Sequence, residues 1–251
     1  MEALEMVAVG AAGVAAGGLN AVVGSGTLIT FPTLLAFGLP PVTANVSNNL
    51  GLVPGTLSAA YGYRREMKGQ FRRLVRFGTA SLVGGLVGAL LLLRLPADAF
   101  QAVVPALILT ACLLVLLQPW LSRRLKSRQG TGKTDGGVPM WCGVLVTGVY
   151  GGYFGAAQGV LLMALFGTFL PDDLQRLNAA KNVLASLVNG VAAVVFIAVA
   201  DIDWTAAGLI AAGSTAGGLV GARFGRKLPP LAMRTFIAVV GTTASVIMIV
   251  Q

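Results

Sequence analysis

Histidine is absent from this chain of 251 residues, cysteine occurs twice, and there are only nine carboxylates. Each shortage removes a class of chemistry. Without histidine or clustered thiols there is no ligand set for a transition-metal centre. Cys112 and Cys142 lie in apolar runs of different halves, where cysteine behaves as a small hydrophobe rather than a disulfide partner. Glu2, Glu5, Glu66, Asp98, Asp135, Asp172, Asp173, Asp201 and Asp203 all fall in tails or between apolar segments. Hydrolytic catalysis therefore has no Ser-His-Asp set or paired carboxylates to use, and a proton relay has no acid within a span. The expectation is a protein that is not an enzyme and needs no cofactor.

Charge is scarce as well, at 11% of residues, about half of what soluble domains carry. In its place stand 56% hydrophobic residues, 34 glycines and a mean hydropathy of +0.82. Apolar runs such as 80–93, 102–117 and 191–200 fill most of the chain. So much apolar surface points to lipid as the solvent and to an all-α polytopic membrane protein. The acidic start, Met1-Glu2-Ala3-Leu4-Glu5, lacks the basic flank of a signal peptide, so the first apolar segment is read as part of the mature protein.

The net charge of +9 is concentrated in two places. Arg64, Arg65, Lys68, Arg72, Arg73 and Arg76 crowd one loop, and Arg123, Arg124, Lys126, Arg128 and Lys133 another. Clusters flanking apolar spans mark cytoplasmic loops, whereas a nucleic-acid platform would interleave aromatics with the charge. A nucleic-acid partner is therefore not expected. Gly132-Lys133-Thr134 lacks the earlier glycine, strand and helix of a phosphate-binding loop and reads as solvated linker.

The apolar segments run over about 5–23, 27–38, 42–63, 74–93 and 99–119, then 139–155, 158–170, 177–200, 204–222 and 231–250. A basic linker at 120–138 separates 1–119 from 139–251. The second segment of each half is too short to cross upright, and each follows a glycine-rich break, at 23–27 and 154–159. Such breaks survive at membrane depth only within protein or beside a water-filled cavity. With a fixed offset of 133, residues 26–96 lie on 159–229 with 15 of 71 positions identical, including Asn45 on Asn178, Asn49 on Asn182, and the block 84–89 on 217–222. Five segments per half is an odd number, and it places Arg176, Arg223, Arg226 and Lys227 on the cytoplasmic side with Asp201 and Asp203 outside. The expectation is two inverted repeats with short, discontinuous or re-entrant helices near the midplane. The Gly84-x-x-x-Gly88 and Gly217-x-x-x-Gly221 spacings fit either a homodimer seam or tight packing inside one subunit.

Polar residues stand out against this background. After Pro40-Pro41, a natural helix opening, Asn45, Asn48 and Asn49 share one helical face. Asn178, Lys181, Asn182, Ser186 and Asn189 repeat the stripe in the second half. Lys181 is the ionisable residue placed on a membrane helix; it either neutralises an anion or snorkels to the interface. The asparagines either bind a ligand or hold the halves together. The membrane field, about 2.3 kcal/mol per charge per 100 mV, drives a monovalent anion outward to a ratio of roughly fifty without a proton relay.

The stretch from Gly17 to Pro32, with Asn20, Gly24, Ser25, Gly26 and Thr27, resembles the TauE/SafE family of bacterial sulfite and organosulfonate exporters. So do Gly38-Leu39-Pro40-Pro41, Ala44-Asn45, Gly151-Gly152-Tyr153-Phe154-Gly155 with Gly159, and Asn178-Ala179-Ala180-Lys181-Asn182. The resemblance implies a multi-pass permease of the bacterial inner membrane that exports a small sulfur oxyanion or sulfonate. The expected site lies between the breaks and the two Asn-striped helices. There Asn45, Asn49, Asn178 and Asn182 would donate to the anion, Lys181 would neutralise it, and Ser25, Thr27 and Gln158 would complete the cage. Asn20 and Asn48 belong to the same candidate set. A carrier of carboxylates such as lactate, and a membrane assembly protein whose asparagines are only glue, stand as alternatives.

Overall fold

A computed structural model describes residues 2–126 and 136–224, with isolated positions 235, 239, 242 and 243. All the elements in the described residues are helices: α1 (Ala3–Val22), α2 (Thr27–Ala36), α3 (Pro41–Gly62), α4 (Phe71–Arg94), α5 (Ala97–Lys126), α6 (Gly137–Tyr153), α7 (Gln158–Phe169), α8 (Leu174–Val199) and α9 (Trp204–Phe224). Most of the expected segment at 231–250 lies outside the described residues, as do Gly132-Lys133-Thr134, Arg226 and Lys227.

The helices outrun the apolar segments at their charged ends. α4 begins at Phe71, three residues early, and takes in Arg72, Arg73 and Arg76; α5 continues past 119 to Lys126. Hydropathy marks where hydrocarbon stops, but a helix keeps its hydrogen bonds beyond that plane and has no reason to end there. α1, α4, α5, α8 and α9 are long and apolar enough to cross a membrane. α3 has 22 residues, but its polar row costs it that apolarity; α2 and α7 have only 10 and 12.

Packing pairs elements across the chain's midpoint. α1 lies along α9 and α6 along α4, while α3 packs on both α8 and α9. Glycine makes the first two contacts close. A Cβ at Gly88 would lie 2.1 Å from the Val149 carbonyl oxygen, and one at Gly217 2.0 Å from that of Val14. Both glycine pairs are thus spent on contacts within one subunit, backbone against backbone. Hydroxyls add ties between helices: Ser214 Oγ donates to the Gly51 carbonyl at 2.8 Å and Ser58 Oγ to that of Thr215 at 3.0 Å. The opposite face of α4 leaves Leu82, Val83, Leu86, Val87 and Leu90 exposed, a surface suited to lipid chains and unsuited to water.

Candidate functional site

The two breaks meet at the centre. α1 ends where Val23 and Gly24 both donate their N–H to the Leu19 carbonyl, and Gly24 turns into the left-handed region (φ 85°). α6 ends in the same manner, with Phe154 and Gly155 donating to the Tyr150 carbonyl and Gly155 at φ 77°. Such turns satisfy some terminal carbonyls and leave the next ones bare. The Gly159 N–H donates to the Gly24 carbonyl at 3.1 Å, joining the breaks directly. A Cβ on either glycine would come within 2.4 Å of the other's Cα, so only glycine allows this approach.

The bare carbonyls of α1 find their donors on α8, some 160 residues away. Lys181 Nζ donates to the Asn20 carbonyl at 2.8 Å and to that of Ala21 at 3.3 Å. Asn178 Nδ2 (3.0 Å) and Asn182 Nδ2 (3.2 Å) also point at the Ala21 oxygen. Lys181 is fully buried and does not snorkel. Burying an ammonium costs several kcal/mol unless opposed, and the negative end of the α1 dipole opposes it here. The end of α6 is held more lightly, by Asn45 Nδ2 on the Tyr153 carbonyl at 3.0 Å. Asn48, which the offset aligns with Lys181, instead bonds Thr27 and Thr30 on α2. Asn49 Nδ2 reaches Asn189 Oδ1 at 3.5 Å, a tie between α3 and α8.

A small cavity sits between the breaks, with about 20 Å³ of free volume, room for a water or two. Of the ten candidate residues, Asn20, Thr27, Gln158, Lys181 and Asn182 line it. Ser25, Asn45, Asn48, Asn49 and Asn178 do not, although all five are buried beside it. Thr56 and Asn189 line it too and were not among the ten. One signal could have found them, since the offset of 133 lays Thr56 on Asn189.

The donors open to this cavity can be enumerated. An ammonium has three N–H groups, and Lys181 has two on α1 carbonyls; each amide has two, and Asn182 has one engaged. Gln158 Nε2 is buried with no partner among the described residues, its amide lying across Gly151, where a Cβ would come within 2.5 Å of it. Ser25 Oγ, Asn49 Oδ1 and Asn178 Oδ1 are likewise unpaired among the described residues. The N-terminal residues of α2 (Thr27) and α7 (Gln158, Gly159) border the cavity, so two helix dipoles present their positive ends to it. Chemically, the described lining can offer one cation and several free N–H groups to a solute, with no carboxylate among them.

At one end of the bundle an ionic clasp ties the halves together. Arg73 on α4 meets Asp172 Oδ2 at 2.7 Å, and Arg176 on α8 meets Oδ1 at 2.9 Å. Gln70 Nε2 donates to the Arg176 carbonyl at 3.0 Å. Burial alone would raise the Asp172 carboxyl, but the hydrogen bond from Arg73, the Asp173 N–H and the two guanidinium charges hold it below the usual carboxylate range.

The family described as "Sulfite exporter TauE/SafE" matches residues 9–248. The chain is 28% identical to the probable membrane transporter protein YfcA of Escherichia coli K12 over 235 residues, 92% of this chain and 84% of the relative. It is 28% identical over 208 residues to a probable membrane transporter protein of Haemophilus influenzae, covering 82% of this chain and 79% of the relative. A third, probable membrane transporter protein ORF9 of a Sinorhizobium species, is 27% identical over 209 residues, 83% of this chain and 78% of the relative. No solved structure matches the chain.

Proposed function

The chain belongs to the sulfite exporter TauE/SafE family of membrane transporters, and from that premise we propose that it carries a small sulfur-containing anion, sulfite or an organosulfonate, out of the cell across the bacterial inner membrane. It does so as a passive permease and not as an enzyme. The anion sits in the cavity between the α1–α2 and α6–α7 breaks. Residues 1–119 and 139–251 form two oppositely oriented repeats, joined by a cytoplasmic linker at 120–138.

The observation that carries the reading is Lys181, fully buried with an N–H to spare, on the wall of a cavity with no carboxylate among its described lining residues. Lys181, Asn182 and Gln158 together can offer four N–H groups to the oxygens of one anion. Their charge and geometry favour an oxyanion over a cation or a neutral solute. The outward direction follows from the membrane field acting on an anion with no proton relay in the described spans.

Purified protein in proteoliposomes, with the potential set by a potassium gradient, tests this. Saturable, potential-driven sulfite flux is the expected result, and lactate should compete poorly. Flux of lactate in preference to sulfite would make the protein a carboxylate carrier. Absence of flux for every small anion would make the buried amides structural glue.

A further inference from the structure

The Ala21 carbonyl carries more donors than it can serve. A carbonyl oxygen has two lone pairs, yet Asn178 Nδ2, Asn182 Nδ2 and Lys181 Nζ all point at it, at 3.0, 3.2 and 3.3 Å. Two of the three distances exceed the 2.9–3.0 Å typical of N–H···O bonds. The two longer bonds, from Asn182 and Lys181, are therefore the weaker ones and can leave at less cost than that of Asn178. Of the three residues, Lys181 and Asn182 line the cavity and Asn178 does not. The cavity, with about 20 Å³ free, is too small for an oxyanion unless some of its wall withdraws.

We propose that the Ala21 carbonyl is a substrate-responsive latch: an anion entering the cavity draws Lys181 and Asn182 off the Ala21 oxygen, Asn178 alone keeps that carbonyl tied to α8, and Lys181 keeps its 2.8 Å bond to the Asn20 carbonyl. This rests on the reading of the chain as an anion carrier and says how binding would be felt by the fold. A ligand shifts a conformational equilibrium only through contacts that differ between the states. Here the N–H groups that Lys181 and Asn182 give to the Ala21 oxygen when the cavity is empty turn to the anion, beside their spare ones, when it is filled. The α6 end shows no such exchange among the described residues, where its tie is the amide of Asn45, outside the cavity wall. The response is therefore one-sided: the α1–α2 break loosens and the α6–α7 break stays.

Hydrogen exchange on the full-length protein in detergent, with and without sodium sulfite and against sodium chloride at equal ionic strength, tests the latch without any mutation. Sulfite should speed exchange at the amides of residues 22–26 and leave 153–157 unchanged. Slower or unaltered exchange at 22–26 would overturn the latch. Sulfite titration of thermal stability adds a second measure. Asn182→Ala should raise the half-saturating concentration about tenfold, the effect of one lost buried donor. Asn178→Ala relieves the crowding at the Ala21 oxygen, so it should lower the starting Tm and raise the half-saturating concentration by less than Asn182→Ala does. Equal effects of the two substitutions on half-saturation would also overturn the proposal. Wild-type protein that binds sulfite and moves it without the exchange signature sinks the latch alone. Wild-type protein that neither binds nor moves it sinks the anion-carrier reading beneath it.

Discussion

Adding one methyl group at Gly159 should separate the two breaks. A Cβ there would lie 2.4 Å from Gly24 Cα, whereas ordinary contact begins near 3.4 Å, so the chains must part by about 1 Å. Neither atom belongs to a flexible side chain, so no rotamer change can relieve the clash. The Gly159 N–H to Gly24 carbonyl bond, now 3.1 Å, would stretch beyond hydrogen-bonding range, and the Lys181 stem, 3.1 Å from the same Cβ position, would be displaced. Overpacking of this kind costs about 1–3 kcal/mol, and a 1 Å error in a binding constellation costs up to about a hundredfold in rate. Gly159→Ala should therefore lower Tm by several degrees and sulfite flux in proteoliposomes by at least tenfold. Gly190→Ala is the control. Gly190 lies on α8 with nothing within 4 Å of its Cβ position, and the substitution should be neutral or slightly stabilising. Wild-type Tm and flux in Gly159→Ala would show that the breaks do not meet as described.

Further outcomes follow from other contacts. Lys181→Ala should insert normally and lose sulfite flux at least tenfold, measured against the protein recovered in membranes. Asp172→Asn should lower Tm by about 2–4 °C, roughly 1 kcal/mol for a chain of this size, because Arg73 and Arg176 lose the negative charge they share. The Asp172 carboxyl is held below its unfolded value, so the clasp's contribution is complete above about pH 4 and fades as acid protonates it. Scanning calorimetry should accordingly find the wild type and Asp172→Asn converging below pH 4 and separated by a constant Tm difference from pH 5 to 8. Gly88→Leu, whose Cβ would meet the Val149 carbonyl at 2.1 Å, should abolish accumulation in the membrane, whereas Val87→Leu on the exposed face should not.

Composition and periodicity alone settled the solvent, the helical class, the two short legs and the polar rows. These are local properties: apolar length, glycine at a break, and asparagine spaced by three and four residues each act within a turn or two. The helix ends were read less well, because α4 and α5 run on through arginines where hydropathy had already fallen. Only the tertiary structure decided which polar groups face the cavity and which hold the frame. Asn178 and Asn182 look alike on paper, one turn apart on one face, yet one only ties α1 to α8 and the other also borders the cavity. The partner of Lys181 is a pair of helix-end carbonyls about 160 positions away, on a different element, and nothing near Lys181 in the chain announces them. The Gly84–Gly88 pair likewise could not say whether it would meet α6 or a second subunit. A helical face is set by local spacing, but what lies opposite that face is set by how distant segments pack.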